Sequence, residues 1–180
     1  MAVEKKYYDY IHVHEWVQDI VMKMYQDNWR PDYIVGLTRG GLVPAVIMSN
    51  MTGIPMHTLD VSLRDSSSGP ESNLWMAEDA FGYAGTYNGN PVVDEDYKRK
   101  NILIIDDIND TGATLDWIIQ DWQRSCLPHS PTWDTIWGNN VRFAVCIDNL
   151  SSQFSRKVDY SAKEINKAER DAWIVYPWER

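Results

Sequence analysis

The sequence predicts a single α/β domain built on a parallel β-sheet that is flanked by helices. Three observations lead to this fold class. The chain has 180 residues, a length typical of one domain. Residues 102–105 are four branched apolar residues, as expected of a strand that is buried on both faces of a parallel sheet. Two such apolar runs lead through a short polar turn into a helical pattern, which is the order found in parallel sheets.

The first half of the chain fits this fold element by element. Residues 1–9 are polar and are expected to be frayed or to form edge structure. Apolar residues with helical spacing then predict a helix over residues 11–28 that ends ahead of Pro31. Residues 33–37 are a short buried strand, residues 42–51 a helix and residues 56–62 the next strand.

A long polar stretch separates these elements from the clearest strand. Residues 65–96 are rich in Ser, Gly, Asn and acidic side chains, with a possible short helix at residues 74–81. A stretch of that length inside a compact domain is usually a functional lid or disordered. We therefore expect a flexible loop.

The carboxy-terminal part contains the remaining elements. A helix follows residue 114, and residues 124–140 are irregular. Residues 141–147 are expected to be the last core strand, with Asp148 and Asn149 at its end. We assign residues 1–180 to one domain, with a small hood at about residues 149–180.

The segment after residue 105 carries the strongest chemical signal. Two carboxylates follow the strand in a turn, then a third, and then a loop of small residues at the start of a helix: Asp106, Asp107, Asp110, Thr111, Gly112, Ala113 and Thr114. Ligands of open α/β sheets bind at such corners. Small residues at a helix amino terminus form an anion site, and ionised carboxylates bind a diol, an amine or a metal. A phosphate beside a sugar diol is a ribose 5-phosphate site.

A second strand–turn–helix corner lies earlier in the chain. It consists of Thr38, Arg39, Gly40 and Gly41. The glycines allow a tight fold, and the guanidinium fork of Arg39 suits a diphosphate.

Residues 102–114 resemble the phosphoribosyl-diphosphate (PRPP) signature of type I phosphoribosyltransferases: an apolar strand, two acids, three residues and Thr-Gly-x-Thr. The resemblance implies the type I phosphoribosyltransferase fold. It implies that Asp106 and Asp107 hold the ribose hydroxyls and Mg²⁺, and that residues 111–114 hold the 5-phosphate. Thr38, Arg39 and Gly40 match the family's pyrophosphate loop. Asp110 takes the place of the general base near the acceptor's ring nitrogen.

The tail resembles the hood of purine phosphoribosyltransferases of the xanthine–guanine type, which ends in a similar D-x-W-I-x-x-P-W-D/E string. The resemblance implies that Trp173 stacks on the base and that Ile174 and Glu179 lie at its edge. The 6-oxopurine enzymes place a lysine at the end of the last core strand, where this chain has Asp148. We expect Asp148 to read the base edge, or Lys157 or a main-chain N–H to serve the 6-oxo group. A 6-oxopurine is favoured over adenine.

Several alternatives remain open. The acids could be solvated turn residues, residues 106–110 also fit the DDxxD motif of prenyl synthases, and residues 102–107 resemble the first strand of a response-regulator receiver. The fold could also serve a non-catalytic regulator that senses PRPP or nucleotides, or a phosphoribosyltransferase for another base.

Composition limits the partners. A net charge of −9 argues against a nucleic acid bound through a basic face. Two cysteines fit a reducing compartment, and no apolar run or leader predicts a membrane segment, so we expect a cytoplasmic protein. The resemblance implies PRPP and a purine base as partners in nucleotide salvage, and a homo-oligomer, either a dimer or a tetramer.

Overall fold

The computed structural model describes residues 3–61, 74–82, 86–87, 90–91 and 99–180. Most of the loop predicted at residues 65–96 lies outside the described residues, as does Arg64, which stands just ahead of it as a candidate phosphate contact. The short helix expected within it is confirmed as Leu74–Phe81.

The chain alternates strands and helices in the expected order. The strands are β1 Glu4–Tyr7, β2 Tyr33–Leu37, β3 Met56–Leu59, β4 Thr86–Tyr87, β5 Asn90–Pro91, β6 Ile102–Asn109, β7 Val141–Asn149, β8 Tyr160–Ile165 and β9 Ala172–Val175. The helices are α1 Tyr10–Gln26, α2 Leu42–Thr52, α3 Leu74–Phe81 and α4 Ala113–Ser125, with 3-10 turns at Pro131–Thr135 and Pro177–Glu179.

The central sheet has five parallel strands in the order β3-β2-β6-β7-β8. Strand β6 lies in the middle, with Ile104 paired to Val35 on one side and to Phe143 on the other. Because all five strands run the same way, their carboxyl ends meet at one edge of the sheet. The predicted α/β fold with a parallel sheet is confirmed.

The two faces of this sheet are covered by separate apolar cores. Leu103 and Ile105 pack into a cluster with buried residues of α1 and α2. Ile102 and Ile104 pack into a second cluster with buried residues of α3 and α4. All four residues have no exposed surface, because successive side chains of a strand point to opposite faces and here both faces are covered.

Strands β6 and β7 are longer than the sequence predicts. The turn expected at Asp106 and Asp107 is wrong, since β6 continues to Asn109 and pairs Asp106 with Val145 of β7. Asp148 likewise lies within β7 and pairs with both neighbouring strands. Aspartate is depleted in strands, but a backbone ladder on a central strand overrides that preference.

The expectation that residues 141–147 are the last core strand is also wrong. Strand β8 pairs with β7 at the sheet edge, although its side chains are only partly buried beyond Tyr160. The weak apolar pattern of this edge strand concealed it within the predicted hood.

The hood itself is a parallel two-stranded ribbon of β1 and β9, in which Glu4 pairs with Ala172 and Tyr7 with Val175. The amino-terminal residues therefore complete the hood rather than fraying. None of the described helices combines the length and the apolar character needed to span a bilayer.

Candidate active site

A large open cleft of about 1420 Å³ lies at the carboxyl edge of the sheet, beneath the hood. It brings together nearly all of the predicted site residues from three separate parts of the chain, residues 38–40, 106–114 and 173–179. The described residues that line it are Thr38, Arg39, Gly40, Val43, Asp60, Val61, residues 106–115, Lys167, Trp173, Ile174, Tyr176, Trp178 and Glu179.

The acid pair lies on the floor of this cleft. The backbone N–H of Asp107 donates to Asp106 Oδ1 over 2.9 Å, and that of Ile108 donates to Asp107 Oδ1 over 2.8 Å. Burial, together with the adjacent charge of Asp107, raises the pKa of Asp106 well above its ordinary value. Burial raises the pKa of Asp107 to about 6, even though hydrogen bonds to its carboxylate act in the opposite direction. The pair is costly to ionise without a cation.

Paired carboxylates of this kind suit Mg²⁺, which is usually held by one or two carboxylates together with phosphate oxygens of a substrate and water. Among the described residues, no group of three or more His, Cys, Asp and Glu side chains is arranged to hold a metal ion. A magnesium ion at Asp106 and Asp107 would take further ligands from outside this pair, as Mg²⁺ usually does.

The small-residue loop at residues 111–114 joins β6 to the amino terminus of α4. Gly112 caps this helix with φ of 91°, a left-handed conformation that favours glycine. A Cβ on Gly112 would overlap the backbone of Phe154, so the loop lies directly on the segment that follows β7. Gln153 supports it further, since its N–H donates to the Thr111 carbonyl over 3.0 Å. These contacts fix the conformation of the loop at the start of α4, where the sequence predicts an anion site.

Asp110 lies between the acid pair and this loop. Its carboxylate forms an ion pair with the ammonium group of Lys167, with 2.9 Å between Nζ and Oδ1. Its backbone carbonyl accepts a hydrogen bond from the Asn149 side chain over 2.9 Å. Both side chains of the ion pair line the cleft.

The second predicted corner, between β2 and α2, lies against the acid pair. The Thr38 hydroxyl donates to Asp60 Oδ1 over 2.8 Å, and Arg39 is exposed at the rim. A Cβ on Gly40 would overlap the Asp107 carboxylate, and one on Gly41 would lie 2.5 Å from the Ile105 carbonyl oxygen. Glycine at both positions therefore lets this loop approach β6.

The hood supplies the roof of the cleft. Trp173 is 51% exposed although it lies in β9, whereas Ile174 beside it is 7% exposed. Trp178 stacks on the Tyr176 ring, with 4.7 Å between ring centroids. Glu179 lines the cleft, but one of its oxygens accepts the Tyr176 backbone N–H over 2.9 Å. Trp173 therefore presents an exposed aromatic ring within the cleft lining, and its stacking on a base stays a prediction.

Two residues predicted for the base edge lie elsewhere. Asp148 accepts a hydrogen bond from the Asn109 side chain over 2.9 Å and is not among the described residues that line the cleft. Burial raises the pKa of its carboxyl group above the ordinary value. Lys157 is exposed and is also outside the cleft lining. Contact of Asp148 with a base remains a prediction.

Several residues that line the cleft were not predicted from the sequence, and Lys167 and Tyr176 are two of them. Lys167 reaches Asp110 from the turn after β8, and the Tyr176 hydroxyl donates to the Asp107 carbonyl over 2.9 Å. Tyr176 lies within residues 171–179, the segment that resembles the family's hood. Its position among the aromatic residues of that segment is a signal from which a place in the cleft could be predicted. No local pattern distinguishes Lys167 from the other lysines.

A parallel sheet whose carboxyl edge carries an acid pair, a small-residue anion loop and an arginine loop defines an α/β protein for sugar phosphates or nucleotides. The sequence model of the phosphoribosyl transferase domain matches residues 4–179. The chain therefore belongs to the phosphoribosyl transferase domain family and is a phosphoribosyltransferase. The resemblance found in the sequence is confirmed.

Similar proteins agree with this assignment. The chain is 24% identical to a hypoxanthine-guanine phosphoribosyltransferase of Schizosaccharomyces pombe, over 96% of this chain and 88% of that protein. It is 21% identical to xanthine phosphoribosyltransferase 1 of Saccharomyces cerevisiae, over 98% of this chain and 90% of that protein. The crystal structure of a purine phosphoribosyltransferase from Pyrococcus horikoshii superposes with a TM-score of 0.61 at 24% identity, covering 98% of this chain and 95% of that chain. This last likeness shows the fold.

Proposed function

We propose that this chain transfers ribose 5-phosphate from PRPP to a purine base, with a 6-oxopurine favoured, and releases pyrophosphate. The observation that carries the proposal is the convergence of the acid pair, the residue 111–114 loop, the Arg39 loop and Trp173 on one cleft. These four parts match the ribose, the 5-phosphate, the diphosphate and a flat base in turn.

The contacts of PRPP follow from this arrangement. The N–H groups and hydroxyls of residues 111–114 bind the 5-phosphate at the start of α4, and Thr38, Arg39 and Gly40 hold the diphosphate. Asp106 and Asp107 hold the ribose hydroxyls and Mg²⁺. The ion neutralises the diphosphate and the acid pair when it is bound.

The transfer itself breaks the bond between C1′ and the diphosphate oxygen and forms one between C1′ and a ring nitrogen of the base. The sugar becomes cationic on the way, so the nearby carboxylates stabilise it electrostatically. Asp110 accepts the proton that the imidazole ring of the purine loses at N7. Trp173 stacks on the base, and Ile174 and Glu179 border it.

The names of the relatives support a purine acceptor, since both curated relatives are named for hypoxanthine, guanine or xanthine. The exposed face of Trp173 supports a planar acceptor of any kind. Salvage of free bases, a cytoplasmic location and a homo-oligomer are further parts of this proposal that come from the family resemblance.

A regulator that binds PRPP or nucleotides without turnover is the second candidate. The position of Asp110, between the proposed ribose site and the proposed phosphate loop, favours an enzyme over a regulator. A general base is needed there for transfer, whereas binding alone does not need one.

The test is pyrophosphate release from PRPP and Mg²⁺ with a panel of guanine, hypoxanthine, xanthine, adenine, uracil and orotate. We expect release with 6-oxopurines. Release with pyrimidines alone would overturn the purine assignment. PRPP binding without release for any base would favour the regulator.

A further inference from the structure

Lys167 lies in the cleft without a part in the transfer described above. Of the described residues that line the cleft, Arg39 and Lys167 carry positive charges, and Arg39 belongs to the diphosphate loop. The Lys167 side chain is only 17% exposed, and its ammonium group lies 2.9 Å from the Asp110 carboxylate. The low exposure and the ion pair together restrict the position of the Lys167 ammonium group.

One buried side chain fixes the backbone on both sides of this ion pair. Asn149, which is 5% exposed, accepts the Lys167 backbone N–H over 3.0 Å and donates to the Asp110 carbonyl over 2.9 Å. The Asn149 amide thus joins the turn after β8 to the loop after β6. The approach of Lys167 to Asp110 is therefore built into the fold.

The positions of the polar groups on a purine suggest what the Lys167 ammonium group could bind. N7 and the substituent at position 6 lie on the same edge of the base. If Asp110 takes the proton at N7, an ammonium group one hydrogen bond away from Asp110 is within reach of position 6. Lysine has three N–H donors and no acceptor. It can donate to a 6-oxo group, whereas a 6-amino group offers it no partner.

We propose that Lys167 is the residue that recognises the 6-oxo group of the base. This inference rests on the proposed function and names its specificity-determining residue. The cation comes from the turn between β8 and β9, not from the end of β7, where Asp148 and Asn149 stand. The Asp148 carboxylate accepts a hydrogen bond from the Asn109 side chain. Lys157 is exposed and does not line the cleft. On binding, the base inserts its N7 edge between Asp110 and Lys167.

The experiment measures binding of two product nucleotides, inosine 5′-monophosphate and adenosine 5′-monophosphate, by calorimetry. These differ at position 6 and in the protonation of N1. The variants are Lys167→Met, which keeps the length of the side chain, Lys167→Arg, which keeps the charge, and Lys157→Met as the matched control. Circular dichroism and thermal unfolding check that each variant is folded.

We expect wild type to prefer inosine 5′-monophosphate. Lys167→Met should weaken binding of inosine 5′-monophosphate by about 10- to 100-fold, the range of one hydrogen bond to a charged group. Binding of adenosine 5′-monophosphate should be nearly unchanged. Lys167→Arg should keep part of the preference, and Lys157→Met all of it.

Equal weakening of both nucleotides by Lys167→Met would overturn the inference, because a lysine that only positions Asp110 affects every base alike. An unchanged preference in Lys167→Met, or a lost one in Lys157→Met, would overturn it too. In these cases pyrophosphate release with purines would still stand. Failure of wild type to bind either nucleotide or to release pyrophosphate would defeat the proposed function itself.

Discussion

Gly40 lies against the carboxylate of Asp107 so closely that a methyl group in place of its hydrogen would overlap the carboxylate oxygens. This contact joins the loop after β2 to the acid pair of β6. It places the predicted diphosphate site directly beside the predicted ribose and metal site, as a single PRPP molecule requires.

The Gly40 contact predicts a selective loss of function. Gly40→Ala should displace the Asp107 carboxylate and weaken binding of PRPP with Mg²⁺ by about tenfold or more, since one charge-assisted contact contributes roughly 1.5–3 kcal/mol. Gly53→Ala is the control: Gly53 caps α2 with φ of 73° and has open space around it. This control should cost about 1–2 kcal/mol of stability and leave PRPP affinity intact. Calorimetry with normal affinity in Gly40→Ala would show that the two loops act separately.

The raised pKa of Asp107 predicts that the acid pair destabilises the ligand-free protein near neutral pH. The pKa of Asp107 rises from 3.8 to about 6 on folding. Above about pH 6 the folded protein carries an ionised, desolvated carboxylate, whereas below the unfolded value both states are protonated and the cost vanishes.

Asp107→Asn should therefore raise the free energy of unfolding at pH 7 by up to about 3 kcal/mol, and the gain should disappear as the pH falls below about 4. Denaturant titrations between these limits measure the difference. Asp134→Asn, an exposed acid paired with Arg156, should show no such gain. A destabilised Asp107→Asn at pH 7 would mean that the carboxylate is stabilised by the fold.

Asp110 is expected to matter for turnover more than for PRPP binding. Asp110→Asn keeps an oxygen for Lys167 but cannot accept a proton, so kcat should fall by about 10²- to 10⁴-fold while PRPP affinity changes by only a few fold. Asp134→Asn serves again as the surface control. Normal turnover of Asp110→Asn with the best base would reduce Asp110 to a structural residue of the loop.

Trp173 is expected to bind the base through its ring face. Trp173→Ala should raise KM by a similar factor for every accepted base, with a loss of about 1–3 kcal/mol, because stacking requires only a planar partner. Tyr7→Ala is a matched control, since Tyr7 is an exposed aromatic of the same ribbon, 58% exposed, that does not line the cleft. Steady-state kinetics that show a loss for one base and none for another would argue for edge recognition by Trp173 instead.

The parts of the site that the sequence predicts are those in which local pattern and chemistry coincide. The run at residues 102–105 is apolar because both sheet faces are covered, and the glycine at position 112 stands where a positive φ and the Phe154 backbone leave no room for a side chain. The residues that answer these constraints, 102–105 and Gly112, lie close together in the sequence. Their roles can therefore be predicted from the sequence without a structure.

The parts that escaped prediction depend on contacts between distant residues. The pairing of β1 with β9 has no local signal in the sequence, because Ala172 lies far along the chain from its partner Glu4. Lys167 reaches Asp110 only because β8 joins the central sheet, and β8 has the weak apolar pattern of an edge strand. The extension of β6 through Asp106 likewise comes from pairing with β7, which outweighs the low strand preference of aspartate.

We propose above that the cleft transfers ribose 5-phosphate to a purine. The most direct measurement is the stoichiometry of nucleotide and pyrophosphate formed from PRPP, Mg²⁺ and guanine or hypoxanthine. We expect equal amounts of purine nucleotide and pyrophosphate, and neither product when the base is omitted. Formation of pyrophosphate without nucleotide, or of neither product while PRPP binds, would contradict it.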